Sequence, residues 1–189
     1  PSKRTISYLP VSHVFERVSG YYCQMMGISI FFAESIELLG DNIREVKPNM
    51  IAVVPRLLEK IFDKIVDKGS KLSGVKKKLF FWALKLGEQY EPYHKNGFWY
   101  HFQLNIARKL IFGKWQEALG NNLEFMVSGS APLQPRLIRV FTAAGIPIYE
   151  GYGMTETSPG ISINDFRNNK SKNFLFTSSQ QINFKLVPL

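Results

Sequence analysis

One cysteine, Cys23, stands in 189 residues, and a lone thiol supports neither a disulfide scaffold nor a cysteine-based zinc site. Set in an apolar helical pattern, it reads as a reduced core thiol, which suits a cytoplasmic protein. No uninterrupted apolar run approaches the roughly 20 residues that a membrane-spanning helix requires. The opening residues, PSKRTISYLP, hold no apolar segment of the signal-peptide kind and no initiator methionine. The expectation is a piece of a longer chain. Acidic residues are also scarce, 15 against 24 Lys and Arg, for a net charge of +9.

That excess is local. Residues 66–120 carry ten Lys/Arg against four Asp/Glu, the stretch 165–189 carries four against one, and the remainder balances at ten against ten. A uniform bias toward nucleic acid is therefore absent, and no recognition motif accompanies the basic segments, so no nucleic-acid partner is expected. At 45% hydrophobic and 14% aromatic the chain is rich enough to bury a core.

Short apolar runs alternate with helical patterns. Apolar residues recur at helical spacing from Val14 to Met26, with Gly27 as a stop and Ser12 as a candidate cap. ISIFFA (28–33) reads as a buried strand. A helix follows over about 35–46 and ends at Lys47-Pro48. MIAVVP (50–55) is a second buried strand, and RLLEKIFDKIVDKG an amphipathic helix closed by Gly69. After residue 120, LEFMVSG (123–129) is a strand, residues 135–144 a helix bounded by Pro135 and Gly145, and IPIYEGYG comes next. The class is α/β, with a parallel-rich sheet and helices on both faces.

Residues 70–120 break the alternation with two helical patterns and no strand between them, and all three tryptophans fall there. They read as a helical insertion. Lys76, Lys77 and Lys78 precede Leu79-Phe80-Phe81-Trp82, which offers two readings. One is a basic amphipathic helix on the inner face of a membrane. The other, favoured, is an apolar face packed on its own domain. The stretch 167–189, rich in Asn, Ser, Gln and Lys, reads as a divergent or truncated tail.

Ligands of a parallel sheet gather at the carboxyl ends of its strands. Two strands here are followed by glycine-bearing loops, VSGSAPL and EGYGMTET. Gly129, Ser130 and Ala131 are small enough for a flat ligand to approach the backbone. Tyr152, between Gly151 and Gly153, offers an aromatic face, Thr155 a hydroxyl and Glu156 a hard oxygen ligand for Mg²⁺. Taken singly, Gly-x-Gly is more often only a turn, and SGSAP reads equally as a strand-to-helix connection. Their succession after consecutive strands matches the parts of a purine nucleotide: ring, phosphate, metal.

YLPVSHVFER, VPRLLEKIFDKI, VSGSAPL and EGYGMTETSP, in this order over about residues 5–166, resemble the long-chain fatty acyl-CoA synthetases of the adenylate-forming, AMP-binding superfamily. The resemblance implies that residues 1–166 are an incomplete N-terminal adenylation domain. It implies a ligase that joins a fatty acid to ATP with Mg²⁺ and passes the acyl group to coenzyme A. Tyr152 then matches the tyrosine stacked on adenine, while Gly129, Ser130, Ala131 and Pro132 match the loop beside the adenine and acyl carbonyl. Thr155 matches the phosphate-binding threonine and Glu156 the magnesium-binding glutamate. His13 matches a histidine at the mouth of the acyl and pantetheine tunnels, whereas its local pattern alone favours a helix cap or a satisfied core residue.

The phosphate loop that the resemblance places before residue 1 does not occur in these 189 residues. Nor do the ribose-binding aspartate and the catalytic lysine expected beyond residue 166. The chain alone is expected to be inactive. Transfer to a carrier protein, and a non-catalytic lipid- or protein-binding remnant, are the alternatives.

Overall fold

The sequence MIAV has no polar side chain, and all four residues are buried, as a strand covered on both faces requires. It is β3 (Met50–Val53) of a six-stranded sheet in a computed structural model that describes residues 2–91, 96–157 and 160–163. The other strands are β1 (Arg4–Ser7), β2 (Ser29–Phe32), β4 (Phe125–Ser128), β5 (Ile148–Gly153) and β6 (Gly160–Ile163). Their spatial order is β2-β1-β3-β4-β5-β6. Neighbours are parallel from β2 through β5, and β6 alone runs antiparallel, to β5.

The chain moves from β1 outward to β2, then back past β1 to β3 and onward. Right-handed crossovers put the first helix on one face and the later ones on the other. The first is α1 (Val14–Met25), packed on β1 and β2. The later ones are α2 (Leu39–Val46), α3 (Pro55–Ser70), α4 (Gly74–Glu88), α5 (Phe98–Ala107), α6 (Gly113–Ala118) and α7 (Pro135–Ala143), with one π-helical turn at Arg108–Phe112. Contacts of α2 with α6, and of α3 and α4 with α7, join that layer. The expected α/β class with helices on both faces is the one observed. The reversal of direction at β1/β3 is a topological switch point, where open α/β sheets bind ligands.

The helices of the crossover between β3 and β4 turn their apolar side into the core. Phe80, Ala83, Leu84 and Leu86 of α4, Leu104 of α5 and Trp115 of α6 are buried in one cluster with Val140 and Phe141 of α7. Packing on its own domain thus accounts for the apolar side of Leu79–Trp82. No helix among the described residues is long and apolar enough to cross a membrane. The expected tail at 167–189 lies outside the described residues.

Three local expectations need correction, and one strand was missed. ISIFFA, read as a buried strand, forms the edge strand β2, with Phe31 and Phe32 exposed because no strand or helix among the described residues covers that end. The cap of α1 is His13, not Ser12: its Nδ1 accepts the Phe15 N–H at 3.2 Å. Gly69 does not close α3 but lies within its last turn, where a Cβ would stand 2.1 Å from the Phe80 ring, so the glycine serves helix packing. Strand β1 is hidden in the sequence because only Ile6 is apolar, yet Thr5 and Ser7 are also buried, and Thr5 Oγ1 donates to the Met50 carbonyl at 3.0 Å.

Candidate functional site

Strands β4 and β5 lie side by side with Ser128 opposite Glu150, the last pair between them, so Gly129 leaves the sheet at its carboxyl edge beside Gly151, which continues β5. The Gly129 N–H bonds the Val53 carbonyl at 3.3 Å, so the first residue of the VSGSAPL connection is also tied to the end of β3. The amino end of α1 meets the same loop. A Cβ on Gly129 would stand 2.9 Å from Phe15 Cε2. The absent side chain at Gly129 therefore accommodates Phe15, a reason for glycine that sequence inspection missed. Two residues before Phe15, exposed His13 caps α1 beyond the end of β1.

Ser130 takes a left-handed backbone at φ 70°, which costs a non-glycine residue on the order of 1 kcal/mol. It carries the chain sharply from β4 toward Pro132 and α7. Gly151 differs from Gly129: a Cβ there would meet only the Ser128 carbonyl, at an ordinary 3.8 Å. No packing inside the described structure demands that glycine.

Gly151, Tyr152 and Gly153 were expected in a loop and are instead the last residues of β5. Pairing with β6 extends the strand, with a register shift between Tyr152 and Gly153. Tyr152 lies opposite Ser162 and remains 39% exposed, enough to present part of its ring. Beyond it Thr155–Thr157 form one 3₁₀ turn. Thr157 Oγ1 accepts the Met154 N–H at 3.1 Å and lies 2.9 Å from the Met154 carbonyl, to which it donates. The turn is thus closed by Thr157, while Thr155 and Glu156 stand exposed.

Two buried carboxyls frame this edge, and neither was expected. Glu150 is 5% exposed, and its Oε1 accepts the buried Leu133 N–H at 3.0 Å. Burial pushes its pKa above the usual carboxylate range, and the Leu133 bond opposes that only in part. A signal was present: in IPIYEG, period two carries the buried side from Ile146 and Ile148 to Glu150. Glu16, in the first turn of α1, is equally buried and bonds Ser7. Desolvation raises it too, and its Oε2 has no partner.

No three His, Cys, Asp or Glu side chains cluster to hold a metal among the described residues. Mg²⁺ does not need such a cage, since it is commonly carried on one or two carboxylates together with substrate phosphates. Exposed Glu156, next to the Thr155 hydroxyl, is chemically suited to that arrangement.

A largely parallel open sheet flanked by helices is the build of an α/β domain that takes its ligands at the carboxyl edge of the strands. The family model for AMP-binding enzymes matches residues 1–176, and the chain belongs to that family. It is 36% identical over 168 residues to long-chain-fatty-acid–CoA ligase 5 of Rattus norvegicus, covering 86% of this chain and 23% of that protein. It is likewise 36% identical over 165 residues to long chain acyl-CoA synthetase 3 of Arabidopsis thaliana, covering 84% of this chain and 24% of the relative. The chain thus spans about a quarter of the length of these curated relatives.

Solved structures share the fold at lower identity. A long-chain-fatty-acid-CoA ligase of Archaeoglobus fulgidus aligns with a TM-score of 0.52 at 15% identity, over 87% of this chain and 26% of that one. The adenylation domain of a carboxylate reductase from Mycobacterium chelonae aligns at 0.57 and 20% identity, over 84% and 21%.

Proposed function

We propose that the intact protein is a long-chain fatty acid–CoA ligase. In the first step a fatty carboxylate oxygen attacks the α-phosphorus of ATP, and the bond to pyrophosphate breaks. In the second the coenzyme A thiol takes the acyl group from the adenylate, and AMP leaves. The observation that carries this reading is the delivery of the Gly129–Pro132 connection and the Tyr152–Glu156 segment to one sheet edge by adjacent parallel strands.

Each side chain has a separate task. Tyr152 stacks on the adenine, and Gly151 and Gly153 leave the ring room beside the strand. Gly129, Ser130, Ala131 and Pro132 border the adenine and the acyl carbonyl. Thr155 donates to a phosphate oxygen, and Glu156 would hold Mg²⁺, which offsets the charge gathering on the phosphates. His13 spends its Nδ1 lone pair on the Phe15 N–H, so the neutral ring carries its proton on Nε2 and offers a donor at the edge rather than a base. Adenylation demands in-line positioning more than proton transfer, which suits that set.

We place peripheral contact with an anionic lipid surface on the 70–120 segment, where exposed Lys76, Lys77 and Lys78 supply the charge and α5, which has no Lys or Arg, supplies exposed aromatics. Phe80 is buried, whereas Phe98 and Trp99 are 87% and 68% exposed within the segment that holds the excess positive charge. Co-sedimentation with anionic vesicles should fall when both become serine; unchanged binding would remove this placement.

The activity is tested by fatty-acid-dependent ATP–pyrophosphate exchange, with and without palmitate, on this chain and on the intact protein. Exchange in the intact protein is the expected result. Its absence there would leave a non-catalytic remnant as the better reading.

A further inference from the structure

The Gly129–Leu133 connection has few internal means of holding its shape. Ser130 sits in the left-handed region and Pro132 has no N–H, so Leu133 offers the first backbone donor after the proline. The N-cap of α7, Gln134, supplies no side-chain hydrogen bond. What meets the Leu133 N–H is a side chain seventeen residues on, Glu150. Ile148, Glu150 and Tyr152 share one face of β5 by the period of two, with Ser128 beside Glu150 on β4.

Burying a carboxyl is costly, and the bond from the Leu133 amide offsets part of that cost. Its particular effect is geometric: it joins the loop after β4 to the strand that carries Tyr152, two residues from that ring. We infer that Glu150 is a positioning residue, setting the distance between the Gly129–Leu133 loop and Tyr152 and so the width of the adenine slot. This rests on the adenylation reading. In this role Glu150 acts through the loop and not on the reacting atoms.

The test uses the intact protein with Glu150→Met, which fills similar space without an acceptor, and Glu150→Gln, whose amide oxygen keeps one. Hydrogen exchange at the Leu133 amide reads the loop directly and needs no activity. The Met variant should exchange about tenfold faster there, and the Gln variant should stay near wild type. In steady-state kinetics the Met variant should raise KM for ATP several-fold with a smaller change in kcat, and Gln should recover most of the loss.

Unchanged Leu133 exchange in Glu150→Met would overturn the inference. So would faster exchange with an unaltered KM for ATP, because the link would then be structural only. Gln and Met behaving alike would overturn it too. Inactivity of the wild-type intact protein would count against adenylation instead, while the exchange result would still decide whether Glu150 holds the loop.

Discussion

Phe15 occupies the space that a side chain on residue 129 would need: the nearest ring atom lies 2.9 Å from where the Cβ of Gly129 would be. The helix that begins at His13 and the connection that leaves β4 are therefore fitted to one another. Elements from two distant parts of the sequence share one wall.

Gly129→Ala should cost about 1 kcal/mol, at the lower end for overpacking, because the atoms in the way are the far end of a half-buried ring. Combining it with Phe15→Leu should recover part of that loss. Urea midpoints of the four proteins in the cycle measure the coupling, and strictly additive effects would show that the two residues do not compete for space.

Gly69→Ala should be more damaging. Alanine is favoured over glycine within a helix by about 1 kcal/mol. Here the new Cβ would meet Phe80, which is only 6% exposed and closely surrounded, at 2.1 Å. Overpacking should exceed the propensity gain, leaving a net loss of about 1–2 kcal/mol. A higher melting temperature in the variant would reverse that ranking.

The turn at the carboxyl end of α7 is held from the crossover layer. Arg108 Nε donates to the Ala143 carbonyl at 2.8 Å, and Gln116 Nε2 to the Ala144 carbonyl at 2.7 Å. Gln116→Ala should cost about 1 kcal/mol and Arg108→Ala about 2 kcal/mol, the latter bond being charge-assisted. Chemical denaturation of each single variant checks both figures, and equal effects would discount the charge.

Glu16 and Glu150 both have their pKa raised by burial above the ordinary glutamate value of 4.5. The folded state therefore binds more protons than the unfolded state over the interval from 4.5 up to the raised values. Stability is fully present below that interval and is lost as pH rises through it. Denaturation midpoints should fall across it, and Glu16→Gln, which cannot ionise, should make the fall shallower. An identical slope in the variant would mean that Glu16 titrates as it does in the unfolded chain.

At the proposed adenine slot two variants of the intact protein should separate binding from turnover. Tyr152→Ala should weaken nucleotide binding by about 0.5–1.5 kcal/mol beyond the loss of buried area. Glu156→Ala should chiefly lower kcat and change the Mg²⁺ dependence of the rate. Calorimetry with ATP, followed by Mg²⁺ titration of the exchange rate, distinguishes the two, and wild-type turnover in Glu156→Ala would remove the metal role.

Much of the layout follows from local sequence. MIAV has to be a covered strand, because a run without polar side chains finds no stable surface. Pro135 and Gly145 bound α7, because one tolerates the first turn and the other adopts φ 82° beyond the last. The motifs around Gly129 and Tyr152 were legible for the same reason, each being a compact set of unusual residues within one short stretch.

What local sequence does not decide is which distant groups meet. Strand β1 exists because Arg4–Ser7 finds hydrogen-bonding edges on both sides, a property of its neighbours rather than of its one apolar residue. The Tyr152 segment is a strand because β6 returns antiparallel to pair with it. Gly129 answers to Phe15, and the Leu133 amide to Glu150. Propensity and period are carried by a few adjacent residues, but steric fit and buried hydrogen bonds depend on separations that only the folded chain brings to a few ångströms.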